Sequence, residues 1–313
     1  WADYEMDHGW RQQWIAMHFG NDLQLNDFGY LSRNSTNYLH WEVRRRFTGL
    51  PEASRYSSKD WRWRVSSNHN NHGEKLNDQF RMSREGQLRD GSYEYAQINV
   101  NSAGISDTLL RGNGIVRLPA NMNAYFEYER PRKGNWAHEV EVEAFGGGLA
   151  GNRKLGSAFW YGATYFINDA FSLNAGLNLV RRPDWLIWQG AAQGDLVGAF
   201  DGRETTLRAG LDWNIDNRQE LRVKLEAIAI SARAHDAWRF DAAGHAVAAS
   251  DTVEDFQVRN LGFQVRYRYE LAPLSYLYVV YARGGYEQLA GTEGPNDALR
   301  DSFSLRNDEQ LIL

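Results

Sequence analysis

Gly262-Phe263-Gln264-Val265-Arg266-Tyr267-Arg268-Tyr269-Glu270-Leu271 alternates without a break. Phe263, Val265, Tyr267, Tyr269 and Leu271 fall on one side, and Gln264, Arg266, Arg268 and Glu270 on the other. Successive side chains of a strand point to opposite faces, so a period of two predicts a β-strand. Ala272-Pro273-Leu274 turns the chain, and residues 275–284, rich in Tyr, Val and Leu, make the returning arm. The wet face carries full charges, and the oily face ends in tyrosines beside the turn. A soluble sandwich and an outer-membrane barrel both contain such strands. In the barrel, apolar residues meet lipid, polar residues meet a lumen and aromatic residues ring the interface. About ten residues at ~3.3 Å each, tilted by about 40°, cover its apolar band of roughly 25 Å.

The rest of the chain moves the balance toward the barrel. In 38–48, Leu39, Trp41, Val43 and Phe47 alternate with His40, Glu42, Arg44 and Arg46. Trp61, Trp63 and Val65 alternate with Arg62, Arg64 and Ser66. Met122, Ala124, Phe126 and Tyr128 alternate with Asn123, Tyr125, Glu127 and Glu129. Glu139-Val140-Glu141-Val142-Glu143-Ala144 sets glutamates in register on one face, which is costly against a dry core and natural in a wet lumen. Leu221, Val223 and Leu225 oppose Arg222, Lys224 and Glu226. Residues 10–19, 76–83, 93–101, 157–166, 171–179, 205–213 and 220–229 add further strands, and 302–313 begins one more. Residues 21–37 form a polar connection, and 104–120 is irregular and glycine-containing. Connections near 132, 168, 216 and 272 are tight, whereas 181–203 and 231–255 are long. Bacterial barrels pair short periplasmic turns with long extracellular loops in this way. The expected fold is all-β: a transmembrane antiparallel up-and-down β-barrel of one domain, residues 1–313, with about 14 strands in this chain.

Composition narrows the classes. Cysteine is absent, which removes disulfides, thiolate metal sites, a cysteine nucleophile and a lipoprotein anchor. The net charge of −5 (35 − 40) offers no general basic field to nucleic acid. Aromatics reach 13%, with Trp 12 and Tyr 16, the residues that favour membrane interfaces. No apolar run approaches the ~20 residues of a membrane helix, but a barrel needs only alternate residues to meet lipid. The chain begins at Trp1 without a signal peptide, which reads as a processed or trimmed start. It stops at Leu311-Ile312-Leu313, in mid-strand.

Several segments carry a family resemblance. Asn26-Asp27-Phe28-Gly29-Tyr30-Leu31-Ser32-Arg33-Asn34 resembles a stretch found in a group of uncharacterised Gram-negative outer-membrane barrels that follow an N-terminal family 9 carbohydrate-binding-like domain. Phe200-Asp201-Gly202-Arg203-Glu204-Thr205-Thr206 and Ser302-Phe303-Ser304-Leu305-Arg306 are similar to the late barrel of that group. The resemblance implies an outer-membrane location and a place in the C-terminal part of a longer protein, with the carbohydrate-binding-like portion and earlier strands preceding it. It brings no catalytic residues.

No catalytic, cofactor or metal site is expected, and the chain is not read as an enzyme. Asn68-His69-Asn70-Asn71-His72 is a loop by its Asn and Gly content. His138-Glu139 lacks the second histidine of a metalloprotease helix, and Gly156-Ser157-Ala158 lacks the glycines of a nucleophile elbow. In Gly146-Gly147-Gly148-Leu149-Ala150-Gly151-Asn152 no Lys-Ser/Thr follows to hold a phosphate. Asp201 with Glu204, and Glu293, Asp297 and Asp301, lack calcium-loop spacing. The functional candidates are the charges expected to line the lumen: Arg44, Arg46, Arg62, Arg64, Glu139, Glu141, Glu143, Arg222, Lys224, Glu226, Arg266 and Arg268. They either brace the wall by pairing or line a solute path and set its selectivity. Trp41, Trp213, Tyr267, Tyr269 and Tyr281 are the expected membrane girdle. The expected role is a channel, transporter or assembly component in the outer membrane of a Gram-negative bacterium. Its partners are the lipid bilayer, lipopolysaccharide and other outer-membrane or periplasmic proteins, not nucleic acid. Two alternatives stand beside it: a soluble secreted β-sheet protein binding carbohydrate through Trp185 and Trp188, and an outer-membrane barrel hydrolase using Ser231 and His235.

Overall fold

The computed structural model describes residues 1–23 and 33–313. Part of the 21–37 connection and most of the Asn26-to-Asn34 motif lie outside the described residues. The strands are β1 (Ala2–Met6), β2 (Trp10–Phe19), β3 (Thr36–Phe47), β4 (Tyr56–His69), β5 (Lys75–Leu88), β6 (Tyr93–Asn101), β7 (Gly104–Ser106), β8 (Val116–Leu118) and β9 (Asn121–Lys133). They continue with β10 (Trp136–Gly147), β11 (Gly151–Phe166), β12 (Phe171–Trp188), β13 (Val197–Asn214), β14 (Gln219–Phe240), β15 (Ala246–Ala248), β16 (Phe256–Ala272) and β17 (Ser275–Ala290). A helix, α1 (Pro295–Ser302), precedes the last strand, β18 (Asp308–Ile312).

The fold is an all-β, antiparallel, up-and-down sheet. Its order is β1-β2-β3-β4-β5-β6-β9-β10-β11-β12-β13-β14-β16-β17-β18, with β15 added beside β14. Among the described residues β1 and β18 are not paired with each other, so the sheet has two free edges. β7 and β8 form a separate two-stranded hairpin. Each expected arm coincides with a strand, but the total exceeds the expected number. The additional strands β1, β7, β8 and β15 are too short for an alternation to show. β12, β13 and β14 run well past their expected ends, because shifts near Arg182/Trp185 and Ala199/Phe200 break the period of two while pairing continues. The segment 302–313 is corrected: Ser302 ends α1, whose Pro295 stands at the helix start with Asp297 in the first turn, and β18 begins only at Asp308.

The connections fall into two sets. At one end lie 48–55, 89–92, 134–135, 167–170, 215–218 and 273–274; at the other, 70–74, 102–120, 148–150, 189–196, 241–255 and 291–307. The second set is mostly longer, with 70–74 and 148–150 as exceptions.

The two faces of the sheet differ sharply. Ladder pairing strings Trp14, Trp41, Val65, Phe80, Val100 and Met122 into one continuous row. These side chains are 40 to 46% exposed, and among the described residues no second sheet covers them. On the opposite face Asp60, Ser83, Asn99 and Glu220 are buried to 5 or 6% exposure. Apolar groups outside and polar groups packed is the inverse of a soluble sandwich, whose inner faces are apolar.

The sheet also curls. Residues 102–120 link β6 to β9, yet they touch strands far to either side. A Cβ on Gly104 would lie 1.8 Å from the Leu76 carbonyl oxygen of β5. The backbone N–H of Arg117, across the hairpin from Ile105, donates to the Gly244 carbonyl between β14 and β15 at 2.8 Å. From β5 to β14 there are seven steps in the strand order. In a flat sheet that is roughly 34 Å at about 4.8 Å per step. A hairpin two strands wide joins both only if the wall bends round. It bends toward the charged face, because a cavity beneath the hairpin is lined by Phe145, Gly156 and Arg182 of that face.

The helix covers one corner of the apolar face. Leu299 of α1 and Leu305 after it pack on Ala227 and Leu261. Beside them Arg259 binds Glu287 (3.2 Å), Glu293 (2.7 Å) and Asp301 (3.4 Å).

Candidate functional site

The candidate site is the concave wall. Pairing puts all the expected lining residues on this face. Arg44 stands opposite Arg62 and Arg64 opposite Glu42; Arg222 and Arg266 pair, as do Glu220 and Arg268. On β10, Glu139 and Glu141 stand opposite Glu129 and Glu127 of β9, and Glu143 opposite Tyr125. The charges form stripes along the sheet: net basic on β3 to β5, acidic on β9 and β10, and mixed on β13 to β16, where Arg208, Arg222, Lys224, Arg266 and Arg268 are matched by Glu204, Asp212, Glu220, Glu226 and Glu270.

Many of these groups brace the wall. Arg44 holds Asp60, Arg62 holds Glu85 at 2.9 Å, and Arg64 lies 3.2 Å from Glu42. Glu220 is a hub for Arg222, Arg266 (3.5 Å) and Arg268 (3.0 Å), and Glu226 holds Arg208 at 2.6 Å. The acidic stripe differs. Among the described residues Glu127, Glu129, Glu139, Glu141 and Glu143 have no ion-pair partner; Glu127 accepts from the Tyr125 hydroxyl at 3.2 Å and Glu143 from Asn123 at 3.0 Å. Like charges directly across a ladder are destabilising. Holding them together there would call for water or counter-ions.

The hairpin β7–β8 lies across this concave face at the end of the longer connections. Leu110 and Val116 are fully buried with Val197, flanked by Leu149, Leu186, Trp188 and Phe240. On the other side Asp107 accepts from Arg33 at 2.5 Å and from Asn70 at 3.0 Å. The Asn70 amide also donates to Glu74 at 2.7 Å. Burial raises the Asp107 carboxyl, but the Arg33 and Asn70 hydrogen bonds outweigh it and hold the group below its ordinary 3.8. With the folded value depressed, this clamp is complete above 3.8 and is lost as pH falls through the lower folded value. Acidification should therefore lower the amide protection factors of 104–118, taken relative to the intrinsic rate at each pH, ahead of those of the strands, and D107N should show that low protection already at neutral pH. Equal protection at both pH values would refute the clamp.

The expected girdle divides. Trp213, Tyr267 and Tyr269 sit on the convex face at the tight-turn end, near Phe171, Trp136 and Tyr165. Trp41 and Tyr281 lie in mid-strand instead. Sequence reading missed a second group at the same end: Trp10, Phe47, Tyr56, Trp61 and Trp63, interleaved with Arg45, Lys59 and Arg84. Their position beside the 48–55 connection was the available signal.

The remaining candidates sit in turns, ladders and ion pairs. Asn70 is buried and its side-chain oxygen accepts from the His72 and Glu74 amides, so the Asn-His segment is a built turn. Gly146 to Asn152 spans the end of β10, the 148–150 turn and the start of β11. Glu204 is engaged by Arg182 (3.0 Å), Asp297 by Arg300 (3.1 Å), and Glu293 and Asp301 by Arg259. Trp185 packs near Phe256, and Trp188 belongs to the Leu110 cluster. Ser231 pairs with Gln257 and Arg203, while the His235 ring bonds Asp236 at 2.8 Å and lies 3.6 Å from Asp184. No helix among the described residues is long and apolar enough to cross a membrane, which says nothing of β-strands.

No curated protein matches the sequence. Residues 5–304 match the model of a family described as domain of unknown function (DUF5916), and the chain belongs to that family.

Proposed function

We propose that this chain forms the wall of a β-barrel in the outer membrane of a Gram-negative bacterium and passes hydrophilic solutes along its concave face. The observation that carries the reading is the inversion of the two faces. Bare apolar rows face outward, and charges, partly paired and partly free, face inward. Lipid is the environment in which an exposed apolar band of this extent is stable; on a soluble monomer it would be a large adhesive patch. Aromatic and basic groups at the tight-turn end suit the interface. The unpaired glutamates of β9 and β10 make the path cation-preferring, as acidic rings do in cation channels.

The protein should need detergent to stay monomeric, migrate in a heat-modifiable way on gels, and conduct ions in a planar bilayer with a reversal potential biased toward cations. The double variant E139Q/E141Q should fold normally and lose most of that bias. A soluble monomer without detergent would overturn the membrane reading. An unchanged reversal potential in the variant would overturn the role given to the stripe.

A further inference from the structure

We propose that Trp160 is a binding station for a linear, neutral oligosaccharide on the concave wall. The proposal rests on the reading that this face meets water and solute. Trp160 projects from β11 onto the charged face, where an indole gains nothing from lipid or a core. It is held flat by two glycines. A Cβ on Gly176 would lie 2.4 Å from the ring, and one on Gly162 would lie 3.3 Å away. Gly162 and Gly176 are direct ladder partners, so together they make a bare seat for one large ring. The ring stays half-exposed, and among the described residues its N–H donates to no protein acceptor.

Two grooves meet beside this ring, sharing Asn174 and Arg208. One, of about 330 Å³, has Gly162 and Gly176 in its floor; the other, of about 600 Å³, has Gly262 and Gly284. Each is of the size that holds a small molecule, and end to end they suit an extended chain. The Arg208 guanidinium lies 5.2 Å from the Trp160 ring centre and is spent on Glu226 at 2.6 Å.

Those features select the ligand. A sugar ring offers a C–H face to an aromatic plane and hydroxyls to mixed donors and acceptors such as Asn174, Gln264 and Glu226. A nucleic acid would also stack, but its phosphates would meet the unpaired Glu129 and Glu139. A simple cation is drawn to Glu129 and Glu139 but is too small to fill the two grooves. A neutral hydroxylated chain fills them without a charge penalty.

The test is calorimetric titration of the full chain in detergent with maltohexaose, against a polyethylene glycol of similar mass. Saturable binding of the sugar and not of the glycol is expected. W160A should weaken it about tenfold, the order of one lost stacking contact. W160F should retain most of it. G176V, which leaves the indole in place but unseats it, should weaken it like W160A. Heat-modifiable migration confirms folding of each variant. Absence of saturable binding, equal binding of the glycol, or an unaffected W160A would overturn the proposal. Conductance without sugar binding sinks this site and leaves the channel; sugar binding without conductance does the reverse.

Discussion

Replacing residues 104–118 with a short Gly–Ser tether should raise the conductance of the reconstituted protein several-fold. The hairpin β7–β8 crosses the concave face from the Asp107 clamp at Arg33 and Asn70 to the Leu110 cluster and the Gly244 carbonyl. A segment anchored on both sides of a curled wall obstructs whatever moves along it. The long β-strands do not depend on it for pairing, since β6 and β9 are direct ladder partners without it. Removing it exposes Val197 and its apolar neighbours, so some loss of stability at that end is expected as well. Combining D107N with R117A removes the Asp107 clamp and the bond that the Arg117 side-chain Nε donates to the Ala243 carbonyl at 2.8 Å, without deletion, and should give an intermediate, fluctuating conductance. An unchanged current through either variant would show that the hairpin does not obstruct the path.

V142R should prevent stable membrane assembly. Val142 is 44% exposed on the convex face, in a row with Phe126, Phe159 and Leu179. On the surface of a soluble sheet an arginine there would change stability by no more than about 0.5 kcal/mol. In mid-bilayer it costs roughly 2 to 4 kcal/mol. Folding titrations into lipid vesicles, read by heat-modifiable migration, separate the two. The neighbouring exchange E141Q serves as control, because its side chain faces the other way. Normal assembly of V142R would refute the lipid-facing assignment of this row.

The long strands, their up-and-down order and the facing of their side chains were largely legible because an alternation of charge and oil is a local signal, whereas the four short strands β1, β7, β8 and β15 were not. Glu139, Glu141 and Glu143 declare their common face within one strand. What pairs with them is not local: that Glu129 and Glu127 stand opposite depends on the register across the 134–135 turn. Free acids on β10 and a saturated Glu220 read alike in sequence. The seat of Trp160 was hidden for the same reason, since Gly176 belongs to a different strand and resembles a breaker until the ladder sets it beside Gly162. The hairpin was read as irregular because its short strands leave no periodicity, and its partners lie more than a hundred residues away in the case of Gly244. The girdle was half-legible: aromatic content showed that interfacial residues exist, but height along the wall follows from turn positions, and Trp41 and Tyr281 were placed without them.

On the proposed membrane reading, α1 marks where the hydrocarbon would end. Arg259 and its ring of carboxylates stand on the outward face, where acyl chains would not tolerate them. That reading puts the boundary below Ala227 and Leu261, which α1 shields, and lifts this end of β14 and β16 into the aqueous layer.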